Sequence, residues 1–227
     1  MSVLTTSVAW REKYPDACIG VLAIWDVHNP KYSPALEAHK QQLEAELREE
    51  FAGMDRALLK ADPTLAAYAA YYKPFKKTYH VQLQLESIVF KDKSIPKVAA
   101  LVETMFMAEL KNLLLTAGHD LDALQGTPTI NVATGDETYV KLNGQEQALK
   151  VGDMYIHDAE GVLSSIIYGP AQRTSITPGT TRALFTVYGP PGIGIVQMQA
   201  HLEDIRDFAM LISPDLLVEN QEVVSAV

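Results

Sequence analysis

The sequence predicts an α+β fold, and three observations predict it. Helical patterns occupy the first half of the 227 residues, short β-rich runs follow residue 125, and the two do not alternate strictly. That order argues against a doubly wound sheet. The β-rich runs are closely spaced between Gly-containing turns, which points to antiparallel or mixed β-structure able to curl into a barrel. The composition, 48% apolar and 21% charged, is that of a globular chain rather than a disordered, collagen-like or rod-like one. We read one domain over 1–227: helix-rich over 1–124, strand-rich over 125–195, then a helix over 196–211 and a loosely held tail, NQEVVSAV.

The first element is a buried strand over 17–27, where ACIGVLAIWDV is apolar, of strand length and rich in β-branched residues. Asn29-Pro30 breaks it. Ser33-Pro34 then pairs an N-cap with a proline suited to the first helical position, and the helix runs to about Phe51 with Leu36, Leu43 and Leu47 on one face. Gly53 ends it, and Met54–Leu59 reads as a short helix. Asp62-Pro63 opens another helix, stopped at Pro74. Residues 78–90 fit a helix, although VQLQLE also permits a strand, and 91–96 is a loop. The stretch 98–118 is apolar nearly all round and is expected to be a long central helix ending at Gly118. Beyond it, TPTINVAT, ETYVKLNG, QEQALKVGDMYIHD, VLSSIIYG, RTSIT and TRALFTVYG are strand-like, and Asn143-Gly144 favours a two-residue hairpin turn.

Lys+Arg 19 against Asp+Glu 28 leaves a net charge of −9, a poor start for a general nucleic-acid binder. No apolar run is long enough to span a membrane, and MSVLTTSVAWREKYP lacks a basic region followed by an apolar one, so a soluble, cytoplasmic protein is expected. The lone Cys18 excludes an internal disulfide, and the six histidines form no HxH or HxxxH pair, so neither metal nor cofactor is expected. No nucleophile motif surrounds Ser164-Ser165, and the Gly189–Gly194 segment reads as a rigid turn rather than a phosphate loop.

Three features carry chemistry. His119 beside Asp120 and Asp122 can serve as a base, a ligand or a hydrogen-bonded structural group. The 73–97 segment carries +4, and Lys73, Lys76 and Lys77 interleave with Tyr68, Tyr71, Tyr72, Phe75 and Tyr79. Lysine with aromatics suits single-stranded nucleic acid, although a solvated loop with inward tyrosines has the same composition. Arg173, with Thr174 and Thr177 in a loop free of acids, suits a carboxylate or phosphate. Its guanidinium is expected to face a cleft at the central helix end, the alternative being an ion pair with Asp120 or Asp122.

The order of segments carries a resemblance. Ile95-Pro96, LVETMFMAELKNLLLTAGHDLDAL, Gly126 with INVATGDETYVKLNG, VGDMYIHDAEGVLSSIIYG and RTSITPGTTRALFTVYGPP together resemble the B3/B4 domain of the phenylalanyl-tRNA synthetase β subunit. With IGVLAIWDV and YYKPFKKTYHVQLQLESI before them, they are similar to the free-standing B3/4-domain proteins over roughly residues 15–195. The resemblance implies a mixed, barrel-like β core flanked by helices. It also implies a pocket that hydrolyses wrongly attached tyrosine from tRNA, placed here at Lys111, His119, Asp120, Tyr168, Arg173 and Thr174. Two positions depart from the synthetase pattern: Ala117 stands where the pattern has histidine, and Thr186 stands where it has an acid that reads the tyrosine hydroxyl. The implied partner is aminoacylated tRNA and the implied activity trans-editing hydrolysis. The alternative is a non-catalytic module for tRNA, a small amino-acid-like ligand or a protein.

Overall fold

The computed structural model describes residues 3–226; Met1, Ser2 and Val227, at the ends of the expected 1–227 domain and tail, lie outside the described residues. The elements run β1 (Thr5–Thr6), α1 (Val8–Lys13), β2 (Cys18–Trp25), α2 (Pro34–Glu50), α3 (Arg56–Leu59), α4 (Pro63–Tyr72), α5 (His80–Lys91), α6 (Ala100–Asn112) and β3 (Leu115–Asp120). There follow β4 (Thr129–Val132), β5 (Thr138–Val140), β6 (Glu146–Ala148), β7 (Met154–His157), β8 (Val162–Ser165), β9 (Gly169–Pro170), β10 (Arg182–Gly189), α7 (Ile195–Met210) and β11 (Leu217–Ser225). The α+β class holds. One sheet has the order β11-β2-β10-β3, a second β1-β4-β7-β8-β9, and β5 pairs with β6. Both larger sheets are open, so no closed barrel forms among the described residues.

The helix starts follow from their caps. Ser33 accepts the Leu36 amide and Asp62 accepts the amides of Thr64 and Leu65, each just before a proline. The alternation in VQLQLE resolves as helix α5, burying Val81, Leu85 and Ile88. The central helix is shorter than its apolar run predicts. Leu113 takes a left-handed backbone at φ 59°, which ends α6, and Leu115–Asp120 then pairs with β10. An apolar run satisfies a buried strand as well as a buried helix, so pairing with β10 decided the outcome. The tail is likewise ordered: β11 lies antiparallel along β2, from Leu217 opposite Trp25 to Ser225 opposite Cys18. RTSIT is not a strand, since Gln172–Thr174 forms a 3-10 turn. The Asn143-Gly144 hairpin is longer than two residues. Lys141 and Gln145 close it, and Gly144 takes the left-handed position at φ 78° that ends such loops.

Helices α4 and α5 meet the β2–β10–β3 sheet through tyrosines. Tyr68 stacks on Tyr79 with ring centroids 4.1 Å apart, and its hydroxyl donates to the Tyr188 carbonyl and accepts the Leu115 amide at 2.9 Å. Tyr188 and Leu115 are register partners, so one hydroxyl closes the end of the β10–β3 ladder. Tyr68→Phe keeps the ring and strands two buried backbone groups. We expect it to lower unfolding stability by about 1–3 kcal/mol in urea titrations; an unchanged midpoint would show that the ladder end closes without this hydroxyl.

Candidate functional site

A cleft of about 290 Å³ opens between α5, α6, β3 and the segment 165–176. Val102, Met105 and Phe106 from α6 and Ile176 from the loop give it apolar walls, and His80, Gln84 and Glu109 bring polar atoms to it. The loop approaches β3 closely at Gly118, where an added Cβ would lie 2.8 Å from Ile176 Cδ1. A side chain there would displace the Ile176 wall.

Glu109 is the cleft's acid. It is 2% exposed, and among the described residues its carboxylate has one hydrogen-bond partner, the Thr116 amide at 2.8 Å. Burial pushes its pKa up to about 8, against the lowering effect of that amide. Across the cleft, Gln84 Oε1 is buried with no hydrogen-bond partner among the described residues. A buried carbonyl oxygen left unpaired carries a desolvation cost that a ligand donor would relieve. His80, one turn before Gln84 on α5, is held near pKa 4 by burial and stays neutral, with Nδ1 3.3 Å from the Tyr72 hydroxyl. Ser165 is committed elsewhere: its Oγ donates to Asp153 at 2.7 Å and accepts the Tyr168 amide at 3.0 Å.

A family model of the B3/4 domain matches residues 65–210, which takes in all but the first two residues of α4, and α5, every wall of the cleft and α7. The chain belongs to the B3/4 domain family. A 69-residue stretch is 30% identical to the phenylalanine–tRNA ligase β subunit of Mycoplasma genitalium, which is 30% of this chain and 9% of that subunit. Among solved structures, an N-terminal fragment of the phenylalanyl-tRNA synthetase β-subunit from Pyrococcus horikoshii overlays 98% of this chain and 51% of the fragment, with a TM-score of 0.48 and 10% identity. The chain therefore spans only part of either relative.

In this B3/4 domain none of the site residues singled out from the sequence lines the cleft. His119 lies in β3, not at a helix end, and is fully buried. Its Nδ1 is 2.9 Å from Thr174 Oγ1 and its Nε2 is 3.3 Å from Ser164 Oγ, while burial lowers its pKa to about 3. That leaves a neutral structural imidazole. Asp120 accepts the Thr180 hydroxyl at 2.7 Å and caps the turn after β3 through the Asp122 amide. Lys111 pairs with Asp204 of α7 at 2.6 Å, away from the cleft. Thr186 is buried in β10, 3.4 Å from the Ala117 carbonyl. Arg173 does not face the cleft and pairs with neither Asp120 nor Asp122. It grips Asp158 at 2.5 and 3.2 Å and donates to the Gly161 carbonyl at 3.1 Å. Tyr168 lies beside the cleft with Lys77 Nζ 5.7 Å from its ring centroid. Lys73, Lys76 and Lys77 are exposed, whereas Tyr68, Tyr71, Tyr72, Phe75 and Tyr79 are buried, so the interleaved rings pack inward and leave the lysines outside. The cleft's own residues are chain neighbours of those expected: Ala117 and Gly118 before His119, Gly169 and Pro170 after Tyr168, Ser175 and Ile176 after Thr174.

Proposed function

We propose that the cleft takes the aminoacyl end of a transfer RNA and that the protein hydrolyses the ester of a mischarged aminoacyl-tRNA in trans. The observation that carries this reading is the Glu109 carboxyl together with the unpaired Gln84 Oε1 in a largely apolar cleft. An α-ammonium group is the donor that satisfies both, and an apolar side chain fits Val102, Met105, Phe106 and Ile176. Family membership and the tRNA ligase named in the sequence match support the same class of ligand. Hydrolysis then needs a water held against the ester carbonyl. A C–O bond forms from water, the bond to the ribose oxygen breaks, and the water proton passes to that oxygen. Positioning supplies most of the acceleration where no protein nucleophile takes part.

The test is release of amino acid from a panel of mischarged tRNAs by purified protein. Release from a subset of the panel is expected, and none above buffer across the whole panel would sink the hydrolytic reading. One observation favours a second, non-catalytic reading. The buried His119 and Ser165 are both committed to structural hydrogen bonds, so neither supplies an activated nucleophile. Saturable binding of charged tRNA without release is the result that reading predicts.

A further inference from the structure

A second recess, of about 520 Å³, lies on the other side of the α4–α5 connection and is assembled from three distant parts of the chain. Lys13 and Tyr14 come from the end of α1, Tyr71 and Phe75 from the end of α4 and the turn after it, and Lys150 from the approach to β7. Three rings form a continuous floor: Tyr14 and Tyr71 have centroids 5.8 Å apart, and Tyr71 and Phe75 5.4 Å. The walls are fixed by hydrogen bonds. Tyr14 Oη donates to the Gly152 carbonyl at 2.6 Å, and Lys150 Nζ donates to the Phe75 carbonyl at 2.7 Å.

The recess is bordered by lysines and by no exposed acid, in a chain carrying −9. Among the described residues, Lys13, Lys73, Lys76, Lys77 and Lys150 have no carboxylate within ion-pair distance, as is also true of Lys31, Lys60, Lys91, Lys93 and Lys141; what distinguishes Lys13 and Lys150 is that both border one aromatic-floored recess. The neighbouring acids form no ion pair with them among the described residues: Glu12 in α1 and Asp16 just beyond it are exposed, and Asp153 is buried and turned to Tyr71 and Ser165. The lysines also lead somewhere. Phe75 borders the recess, His80 borders the cleft, and Lys76 and Lys77 lie between, a chain path of at most about 17 Å. Lys77 stands over Tyr168, next to Gly169 and Pro170 of the cleft wall.

We propose that this recess is a phosphate-backbone subsite for the RNA whose aminoacyl end occupies the cleft, with Lys13 and Lys150 taking phosphates and Lys76 and Lys77 tracking the strand between the two sites. The proposal rests on the tRNA reading above. It identifies the occupant by charge: a polyanion gains from every unpaired lysine on the path, and release of counterions makes its affinity salt-dependent.

The experiment is anisotropy of labelled, uncharged tRNA against wild type, Lys13→Glu and the double variant Lys13→Glu/Lys150→Gln, each over a range of salt. Lys13 is exposed and its ammonium makes no hydrogen bond to a described residue, so the single variant reports charge without the loss of the Lys150 contact. The wild type is expected to bind with log K falling linearly in log salt. Each lost lysine should weaken binding several-fold and flatten the slope by about 0.7–0.9. If the wild type binds and both variants keep its affinity and slope, the recess is not an RNA contact, although the tRNA reading stands. If the wild type does not bind tRNA at low salt, both fall together. If inorganic phosphate displaces tRNA as well as RNA does at equal phosphate concentration, the recess is a small-anion site and the backbone proposal is overturned.

Discussion

Asp158→Ala is expected to destabilise the fold by about 3 kcal/mol, the low end of the range for breaking a buried charge pair, because Arg173 is partly exposed and keeps Glu160 at 3.5 Å. The Asp158 side chain is wholly buried and joins three separated segments. It accepts two bonds from Arg173, at 2.5 and 3.2 Å, and the backbone amides of Gln125, Glu160 and Gly161 at 2.8, 2.9 and 3.1 Å. Burial alone would raise its pKa, but the Arg173 bonds and the Gln125 and Glu160 amides outweigh that and hold the carboxyl below its ordinary value. The sign follows. A depressed carboxylate contributes stability above its unfolded pKa and loses it as pH falls through the folded value. The wild type should therefore lose this contribution in acid, and Asp158→Ala should show no further loss from this source. Arg173→Lys keeps a cation but not the two-pronged geometry, so a smaller loss is expected, with ligand binding retained in the folded protein. Urea titrations at neutral and acid pH check both variants. An Asp158→Ala midpoint equal to wild type would show that the three segments hold together without the carboxylate. A folded Arg173→Lys that no longer binds would return Arg173 to the site.

Much of the fold was legible because the signals are local. The Cys18–Trp25 run is apolar and β-branched, and Ser33-Pro34 and Asp62-Pro63 carry both a cap and a proline, so these elements fall where the sequence places them. The errors arise where a distant strand decides. Leu113-Leu114-Leu115 contains no helix breaker, and only the β10 ladder makes 115–120 a strand and carries His119 into it. The tail becomes β11 because β2 would otherwise present a bare edge, and no pattern in NQEVVSAV announces that edge. The cleft was harder to read than the fold. Glu109 and Gln84 are common helix residues, usually solvated. One signal was available for Glu109: it follows Met107 and Ala108 and precedes Leu110 in a helix apolar nearly all round, so its carboxyl had little chance of reaching water. For Gln84 no comparable signal exists. The interleaved lysines and tyrosines were a real pattern with two separate causes. The rings at Tyr68, Tyr71 and Tyr72 pack onto the sheets, and the lysines are exposed because the rings are not.

Glu109→Gln is expected to separate the cleft's chemistry from its structure. The substitution preserves shape, and the amide oxygen can still accept the Thr116 amide that Glu109 holds at 2.8 Å. What it removes is the titration. A carboxyl with a folded pKa near 8 and an ordinary value of 4.5 binds a proton in the folded state across that window and not in the unfolded state. The contribution of this group then falls as pH rises from about 4.5 to about 8, by on the order of 5 kcal/mol at ~1.4 kcal/mol per pH unit, and levels off above. Asp153 is also raised by burial, to about 7, and adds a fall of the same sign, so the difference between wild type and Glu109→Gln, not the wild-type curve alone, reports Glu109. Glu109→Gln should have a shallower fall between about pH 4.5 and 8 and be the more stable protein at high pH; parallel curves for the two proteins would mean the carboxyl does not carry a proton when folded. Ligand binding should move the other way. An α-ammonium pairs with the ionised carboxyl, so the neutral acid must lose its proton on binding; wild-type affinity for an aminoacyl ester should rise from acid pH and turn over at about pH 8, where the α-ammonium itself deprotonates. In the variant that rise should disappear and affinity should drop about 100-fold, the equivalent of roughly 2–3 kcal/mol for one lost partner of a buried charge pair. A variant that is stabilised at high pH yet binds and releases amino acid like wild type would assign Glu109 to the fold alone and remove the ammonium site on which the proposed function rests.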